Sequence, residues 1–486
     1  MPRGPLARSY PGAVALVVCS LIPYLALTAG VFPLLEGIAR STGLSRSTLE
    51  VVIAVSAGAY AAGTVLAVQF AVHLRGRRML VVYETVLVVA SALAAWAPSG
   101  PVFAVAFIVQ GLCTSLMLIA AVPPLVTRWP PEKMPITGMI MNLCIFGAVA
   151  LGPTVGAMEE GAMTWRPLFF GVLAVAVLAL CFSLLTFEDD PPSDRSAPWD
   201  LVAIILAVLG CAAAFFGAGE LQAATRPTAA SIVPLSLGAA MLVALVAYQF
   251  QVKNPLMPVR AAATTVPTTG IFIALTASAA SFGIMELVLE SLHKASTPGR
   301  TAVYFLPEFA AALAVAGLFG ALFRTRFTPV LAFSGMLAIV GAAALLLLAL
   351  PRGGWLVAAG TGMVGLGVAA SVSPALFMTG FSMRSAQLQR IFAMIELLRG
   401  VTAFLVAPIL LFAAEVIGRS GIGIALWICL GIAACGLLGG TGLYFAGCGR
   451  LQVPDLSRWQ TEDVPAWESP PLLARMRRAR SRVLTG

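Results

Sequence analysis

Apolar runs of about twenty residues recur along almost the whole chain, parted only by short polar breaks. A run of that length crosses the ~30 Å hydrocarbon core of a bilayer as a helix. Hydrocarbon offers a backbone amide no partner outside protein, so a sequence of this kind has to fold as a bundle of spanning helices. Composition agrees: 59% of the 486 residues are hydrophobic and 10% are charged, where an ordinary soluble domain is about a quarter charged. A membrane barrel would show alternating segments of about ten residues, a pattern this chain lacks. The opening MPRGPLARSYP is basic and leads into a long apolar run without a cleavage motif, which reads as a retained first span rather than a removed signal.

The runs divide into fourteen spans, at roughly 12–34, 48–72, 79–97, 102–127, 136–158, 167–187, 200–219, 230–250, 266–289, 301–323, 328–350, 354–378, 391–414 and 420–446. The fold class is therefore all-α and polytopic. Of the 30 Lys and Arg, 21 fall on the side of the N-terminus, 8 on the other, and Arg399 lies within a span. Basic loops stay in the cytoplasm, so both termini are expected there, in a plasma membrane of the bacterial inner-membrane kind. The same distribution explains the net charge of +9 without a nucleic-acid partner. The eight cysteines sit almost wholly in apolar runs with no C-x-x-C pair, which suits small buried hydrophobes rather than disulfides or metal ligands.

Two short basic hinges stand at matching places: QFAVHLRGRRML (Gln69–Leu80) after the second span and GALFRTRFTPVL (Gly320–Leu331) after the tenth. They suggest a duplication, with six-helix bundles in 1–187 and 266–446, and a linker with two extra spans in 188–265. Repeats of this kind build secondary transporters, whose site lies near mid-membrane where the halves meet. Residues 447–486 form a basic tail. Its end sets Leu472, Met476, Ala479 and Val483 at helical spacing against Arg475, Arg477, Arg478, Arg480 and Arg482. That pattern suits an anionic lipid surface, or else a solvated tail.

The stretch IFGAVALGPTVGAMEEGAMTWRPLFF (145–170) combines apolar residues with Gly147, Gly152, Pro153 and Gly156. In water such residues cost a helix about 1–3 kcal/mol each. Within a membrane, small residues let helices approach closely, and a proline can bend the backbone where neighbours satisfy the freed carbonyl. The segment LGPTVGA (Leu151–Ala157) resembles the antiporter motif of the major facilitator superfamily, in its fourteen-helix drug:proton antiporter branch. TWRPLFF (Thr164–Phe170), HLRGRRML (His73–Leu80), KNPLMPVR (Lys253–Arg260) and IELLRGVTAF (Ile395–Phe404) are similar to further motifs of that branch, in order along nearly the whole chain. The resemblance implies a major facilitator fold of two six-helix bundles plus an inserted pair. It also implies efflux by alternating access, with Gly152, Pro153 and Gly156 as a pivot and His73, Arg75, Gly76, Arg77 and Arg78 in a gating loop.

Departures from that pattern stand at key places. The loop has His73 where an acid is usual and Gln69 where a glycine is usual, Phe107 replaces an arginine tied to proton coupling, and Tyr24 replaces a frequent aspartate. Other carboxylates could take over. An acid at membrane depth costs ~2.5–3.5 kcal/mol or more, which marks Glu286 and Glu308 either as coupling sites or as groups hydrogen-bonded near the outer boundary. Glu396 and Arg399, three apart, suit a structural ion pair more than a substrate contact. Glu84 is placed to reach Arg77 or Arg78 as a gate element. Gln110, Asn142, Thr114, Ser371 and Ser373 add polar groups where a cavity is expected, or else join helices.

GTGMVG (Gly360–Gly365) fails as a nucleotide loop because no strand precedes it. His73 and His293 fall on opposite sides of the membrane, so neither a metal site nor a nucleophile set assembles. The expectation is a carrier of amphiphilic or drug-like small molecules, without enzymatic activity or cofactor. The alternatives are an uncoupled or importing carrier, and a scaffold of the same fold serving an accessory protein.

Overall fold

The computed structural model describes residues 4–186, 188, 198–224, 226–350 and 353–475. Fourteen helices among them are long and apolar enough to cross a membrane. The first six are α1 (Tyr10–Gly30), α2 (Arg46–His73), α3 (Gly76–Trp96), α4 (Gly100–Thr127), α5 (Pro131–Gly161) and α6 (Arg166–Leu185). Next come α7 (Leu201–Gln222) and α8 (Ala229–Gln251). The last six are α9 (Thr265–Ala295), α10 (Pro298–Leu322), α11 (Thr328–Ala349), α12 (Trp355–Phe381), α13 (Leu388–Ile417) and α14 (Gly421–Ala446). Side-chain oxygens hold several starts by accepting a first-turn N–H: Ser9 from Gly12, Ser45 from Thr48, Asp200 from Ala203, and Thr228 in a capping box with Ser231. Each supplies a partner that hydrocarbon cannot.

The helices pack in a repeated pattern. In the first six, α1 lies against α4, α5 and α6, α4 against α2 and α3, and α3 against α6. In the last six, α9 lies against α12, α13 and α14, α12 against α10 and α11, and α11 against α14. Adding eight to each number turns one set into the other. The halves meet along two main seams, α2 with α13 and α5 with α10, which the same operation also exchanges. The pair α7 and α8 breaks the symmetry: α7 packs on both α2 and α13, and α8 packs on α7. It flanks one seam and leaves α5 and α10 without such a flank.

Three features depart from the sequence expectation. The fifth span is not one regular helix: Met134–Asn142 leads into a π turn at Leu143–Gly147, then Ala148–Gly161. A short helix, Leu35–Thr42, follows α1 and ends where Gly43 takes a φ of 74°, a conformation that favours glycine. The tail up to residue 475 packs against the protein around the helix Leu456–Thr461, with Trp459 wholly buried. The basic end of the tail, 476–486, with Met476, Ala479 and Val483, lies outside the described residues, as does most of the acidic linker before α7.

Glycine brings α5 onto α1. A Cβ at Gly152 would stand 2.6 Å from the Ala26 carbonyl oxygen, and one at Gly156 would stand 2.2 Å from that of Gly30. Backbone cannot yield as a flexible side chain can. Gly156→Leu should therefore destabilise the fold by at least the ~1–3 kcal/mol typical of overpacking, read as a lower unfolding temperature in detergent. Gly171→Leu, at a position with open space around it, should leave that temperature unchanged.

Candidate functional site

Four voids follow the junction of the halves, and each shares wall residues with the next. The first, about 110 Å³, opens on the face opposite the termini and is lined by Glu36, Arg46, Glu50, Glu160, Glu286 and Glu290 among others. The second, about 30 Å³, shares Glu286 with it and adds Tyr24, Phe107, Phe282 and Phe404. Beyond Phe282 and Phe404 lies a third, about 40 Å³, with Ser278, Ser281, Glu308 and Arg399 in its wall. Ile145 links that to a fourth, about 30 Å³, holding Ser373, Phe377, Phe392 and Glu396. A drug-sized ligand needs about 300 Å³ or more. None of these voids reaches that size, and the halves stand close together along the junction.

Contacts between the halves close both ends. On the face away from the termini, Arg46 of α2 pairs with Glu290 of α9 at 3.4 Å, and His293 of α9 stands 3.4 Å from Glu160 of α5. At mid-depth, Tyr60 of α2 donates to Glu396 of α13 at 3.2 Å, and Asn142 of α5 donates to the Ala369 carbonyl of α12 at 2.9 Å. On the face of the termini, Gln389 donates to the Ile119 carbonyl at 3.0 Å. There the tail adds a strap. Trp459 donates its indole N–H to the Met383 carbonyl at 2.8 Å, while neighbouring Gln460 donates across to the carbonyls of Thr127, the last residue of α4, and Trp129 just after it. Asp463 accepts from the Ser385 hydroxyl and the Ala386 N–H. The Ala386 bond, ahead of that from Ser385, holds the Asp463 carboxyl below the usual carboxylate range.

The expected site residues separate into distinct places. Glu286 and Glu308 both face voids, are nearly fully buried, and keep one carboxylate oxygen without a partner. Glu396 and Arg399 form an ion pair at 2.5 Å, buried and walling the third and fourth voids. Tyr24 lies in the second void and donates to Ser56, which spends its own proton on the Phe107 carbonyl. Phe107 in turn joins Phe103, Phe169 and Tyr24 in an aromatic cluster, a setting with no place for an arginine.

Gln110 turns instead into the first bundle, donating to Ser91 of α3 at 3.0 Å. Asn142 braces the halves beside the π turn, and Ser371 bonds the Gly367 carbonyl of its own helix. Glu84 does not take Arg77 or Arg78; it meets Ser20 of α1, because α3 turns that side chain into the bundle core rather than toward the loop. His73 stacks on Trp199 with ring centroids 4.3 Å apart and contacts the Gln69 carbonyl at 2.8 Å. Gly365 of the GTGMVG stretch is a packing position, where a Cβ would stand 2.1 Å from the Glu308 carbonyl. Tyr60, Phe282, Phe404 and the strap escaped sequence reasoning.

The family model for the Major Facilitator Superfamily matches residues 16–407. The chain belongs to the Major Facilitator Superfamily. Over 174 residues it is 32% identical to the lincomycin resistance protein LmrB of Bacillus subtilis (strain 168), covering 35% of this chain and 36% of that one. Over 352 residues it is 25% identical to the multidrug resistance protein Stp of Mycobacterium tuberculosis (strain ATCC 25618 / H37Rv), covering 70% and 64%. The chain thus spans less than two thirds of the length of either relative. A crystal structure of a POT family transporter in complex with a thioalcohol-conjugated peptide superposes with a TM-score of 0.65 at 12% identity, over 89% of this chain and 96% of that one. That likeness is one of fold across nearly the whole of both chains.

The strap generates a test. Gln460→Ala removes two hydrogen bonds between the tail and the first bundle, worth together about 1–2 kcal/mol, or a 5–30-fold shift in population. A single thiol at Ser373, in a background lacking the eight native cysteines, should then react correspondingly faster with an impermeant maleimide added to the face of the termini. The Asp463 hold should be complete above the ordinary carboxylate range and lost as pH falls through the depressed value. Acidification should therefore act in the same direction as Asp463→Asn.

Proposed function

We propose that this chain exports amphiphilic or drug-like small organic molecules by alternating access, its two six-helix bundles rocking about the voids between them. The carrying observation is the series of voids on the junction, walled by aromatic rings and by Glu286 and Glu308, with contacts between the halves at both ends. In the second and third voids, rings and small apolar side chains bind by area and shape, which suits varied amphiphiles better than sugars or phosphates. The resistance proteins LmrB and Stp support export as the direction. The excess of basic residues on the termini side supports a cytoplasmic location for both termini.

In this reading Glu286 and Glu308 are the coupling carboxylates. Each lacks a partner at one oxygen, so it is free to exchange a proton whenever its void meets water. Arg399 is committed to Glu396 and keeps the pair neutral between the third and fourth voids. Gly152, Pro153 and Gly156 let α5 pivot on α1, and the π turn beside Asn142 supplies slack where a regular helix would resist. One observation favours an uncoupled carrier as second reading: Phe107 and Tyr24, at positions that the family resemblance ties to proton coupling, belong to an uncharged aromatic cluster.

Reconstituted protein, assayed with ethidium and with lincomycin under an imposed pH gradient, separates the readings. Coupled export predicts accumulation driven by the gradient. Glu286→Gln and Glu308→Gln should each lose that component while retaining downhill exchange. Wild-type exchange that ignores the gradient would establish the uncoupled carrier. No movement of any amphiphile, with stable co-purification of another protein, would establish the scaffold.

A further inference from the structure

Apart from the central voids, one more carboxylate is buried at membrane depth and takes no part in the carrier cycle described above. Glu84 of α3 is completely inaccessible, as is Ser20 of α1 beside it. One Glu84 oxygen is hydrogen-bonded with the Ser20 hydroxyl, and the other is buried without a partner. The Ser20 oxygen also lies 2.7 Å from the Leu16 carbonyl. Proton counting constrains this triad. A carbonyl can only accept, so the Leu16 contact uses the single proton of the Ser20 hydroxyl. The Ser20–Glu84 contact then needs a proton from the carboxyl itself, donated to the Ser20 oxygen. An ionised Glu84 would have to draw the hydroxyl away from Leu16 and would still leave one oxygen bare.

A cavity lies one helical turn from the triad, toward the face of the termini. About 240 Å³ in volume, it is lined by Leu16 and Leu80, each one helical turn from Ser20 and Glu84, and by Val17, Ala121, Arg77 and Arg128. Its volume holds several waters. The other helices packed around Glu84 contribute few titratable groups. Cys19 of α1 and Cys113 of α4 are the nearest, both within electrostatic reach of Glu84. The remaining neighbour, α6, carries only Arg166 at its far end and Cys181. Arg77 and Arg128 stand in the cavity wall, and Glu188 pairs with Arg128 at 3.3 Å.

We propose that Glu84 and Ser20 form a proton-binding site inside the first bundle, filled from the face of the termini through this cavity and separate from the central voids. Ser20 is its switch: it donates to Leu16 when Glu84 holds the proton and to Glu84 when the proton leaves. Because α1 and α3 are joined here only a turn or two from the His73–Arg78 loop, occupancy of the site adjusts the packing of the gating end of the bundle.

Infrared spectroscopy of the full chain in nanodiscs tests this without reference to any transported substrate. Glu84→Gln should remove one carbonyl-stretching band of a protonated carboxylic acid, and Glu84→Asp should restore a band at a shifted position. Ser20→Ala keeps the carboxyl but removes its acceptor, so the band should move to higher frequency. Ala121→Phe, which fills the cavity, should slow the deuterium shift of that band after transfer to heavy water. No band lost on Glu84→Gln overturns the site, as does a band indifferent to Ser20→Ala should the glutamine variant fail to fold. An unchanged deuterium rate in Ala121→Phe overturns the route.

Discussion

In hydrocarbon a backbone amide must find its partner within the protein, and every other feature here follows from that constraint. It makes each span helical, and it permits proline inside α1, α4, α5, α10, α12 and α13 only because neighbours and adjusted turns absorb the freed carbonyls. It also limits how the molecule can move. Local unfolding would expose unpaired amides to lipid, so motion has to pass through rigid bundles and a few tolerated irregularities. The π turn of α5 is such an irregularity. It sits on a seam between the halves, beside Asn142, where a change of helical register can be absorbed without breaking a span.

The duplicated packing has a further consequence. Symmetry would make the α2–α13 and α5–α10 seams equivalent, yet α7 covers only the first. Gly58 and Gly219 mark how closely it docks, since a Cβ at either would crowd Phe215 or the backbone of Val51. The covered seam also holds the Tyr60–Glu396 bond. The uncovered one is joined by extensive helix packing and a long Thr154–Ala302 contact of 3.4 Å. The π turn of α5 lies along this second seam, against α10.

Much of the fold was legible because the membrane makes length and apolarity nearly sufficient. All fourteen spans could be read from hydropathy alone, and the glycines at 152 and 156 announced a close helix crossing. The site was less legible, for a physical reason. Sequence shows that Glu286, Glu308 and Glu84 lie at membrane depth, but not which way each points. Half a turn of rotation about the helix axis separates a void from a bundle core. Glu286 and Glu308 face voids, whereas Glu84 and Gln110 face inward on helices of similar composition. Tyr60 and Phe404 look like ordinary apolar positions until α2 and α13 are brought together. The strap was hidden for the opposite reason: a polar tail looks solvated, and only packing of Trp459 onto the end of α12 shows otherwise.

The two closures differ in kind, and their magnitudes decide which gives way first. Away from the termini the halves are joined by Arg46–Glu290 and His293–Glu160, pairs whose side chains are between 25% and 42% exposed. Such pairs are worth about 0–1 kcal/mol each and weaken with salt. On the face of the termini the links are neutral amide-to-carbonyl bonds from Gln389 and Gln460, the latter anchored by a buried tryptophan. Each neutral bond contributes about 0.5–1.5 kcal/mol, and burial of a large apolar side chain fixes the donor in place at a further ~1.5–3 kcal/mol. The contacts between the halves are thus firmer on the side of the termini. In the proposed exporter, with both termini in the cytoplasm, that difference favours opening toward the opposite face, where the load would be released.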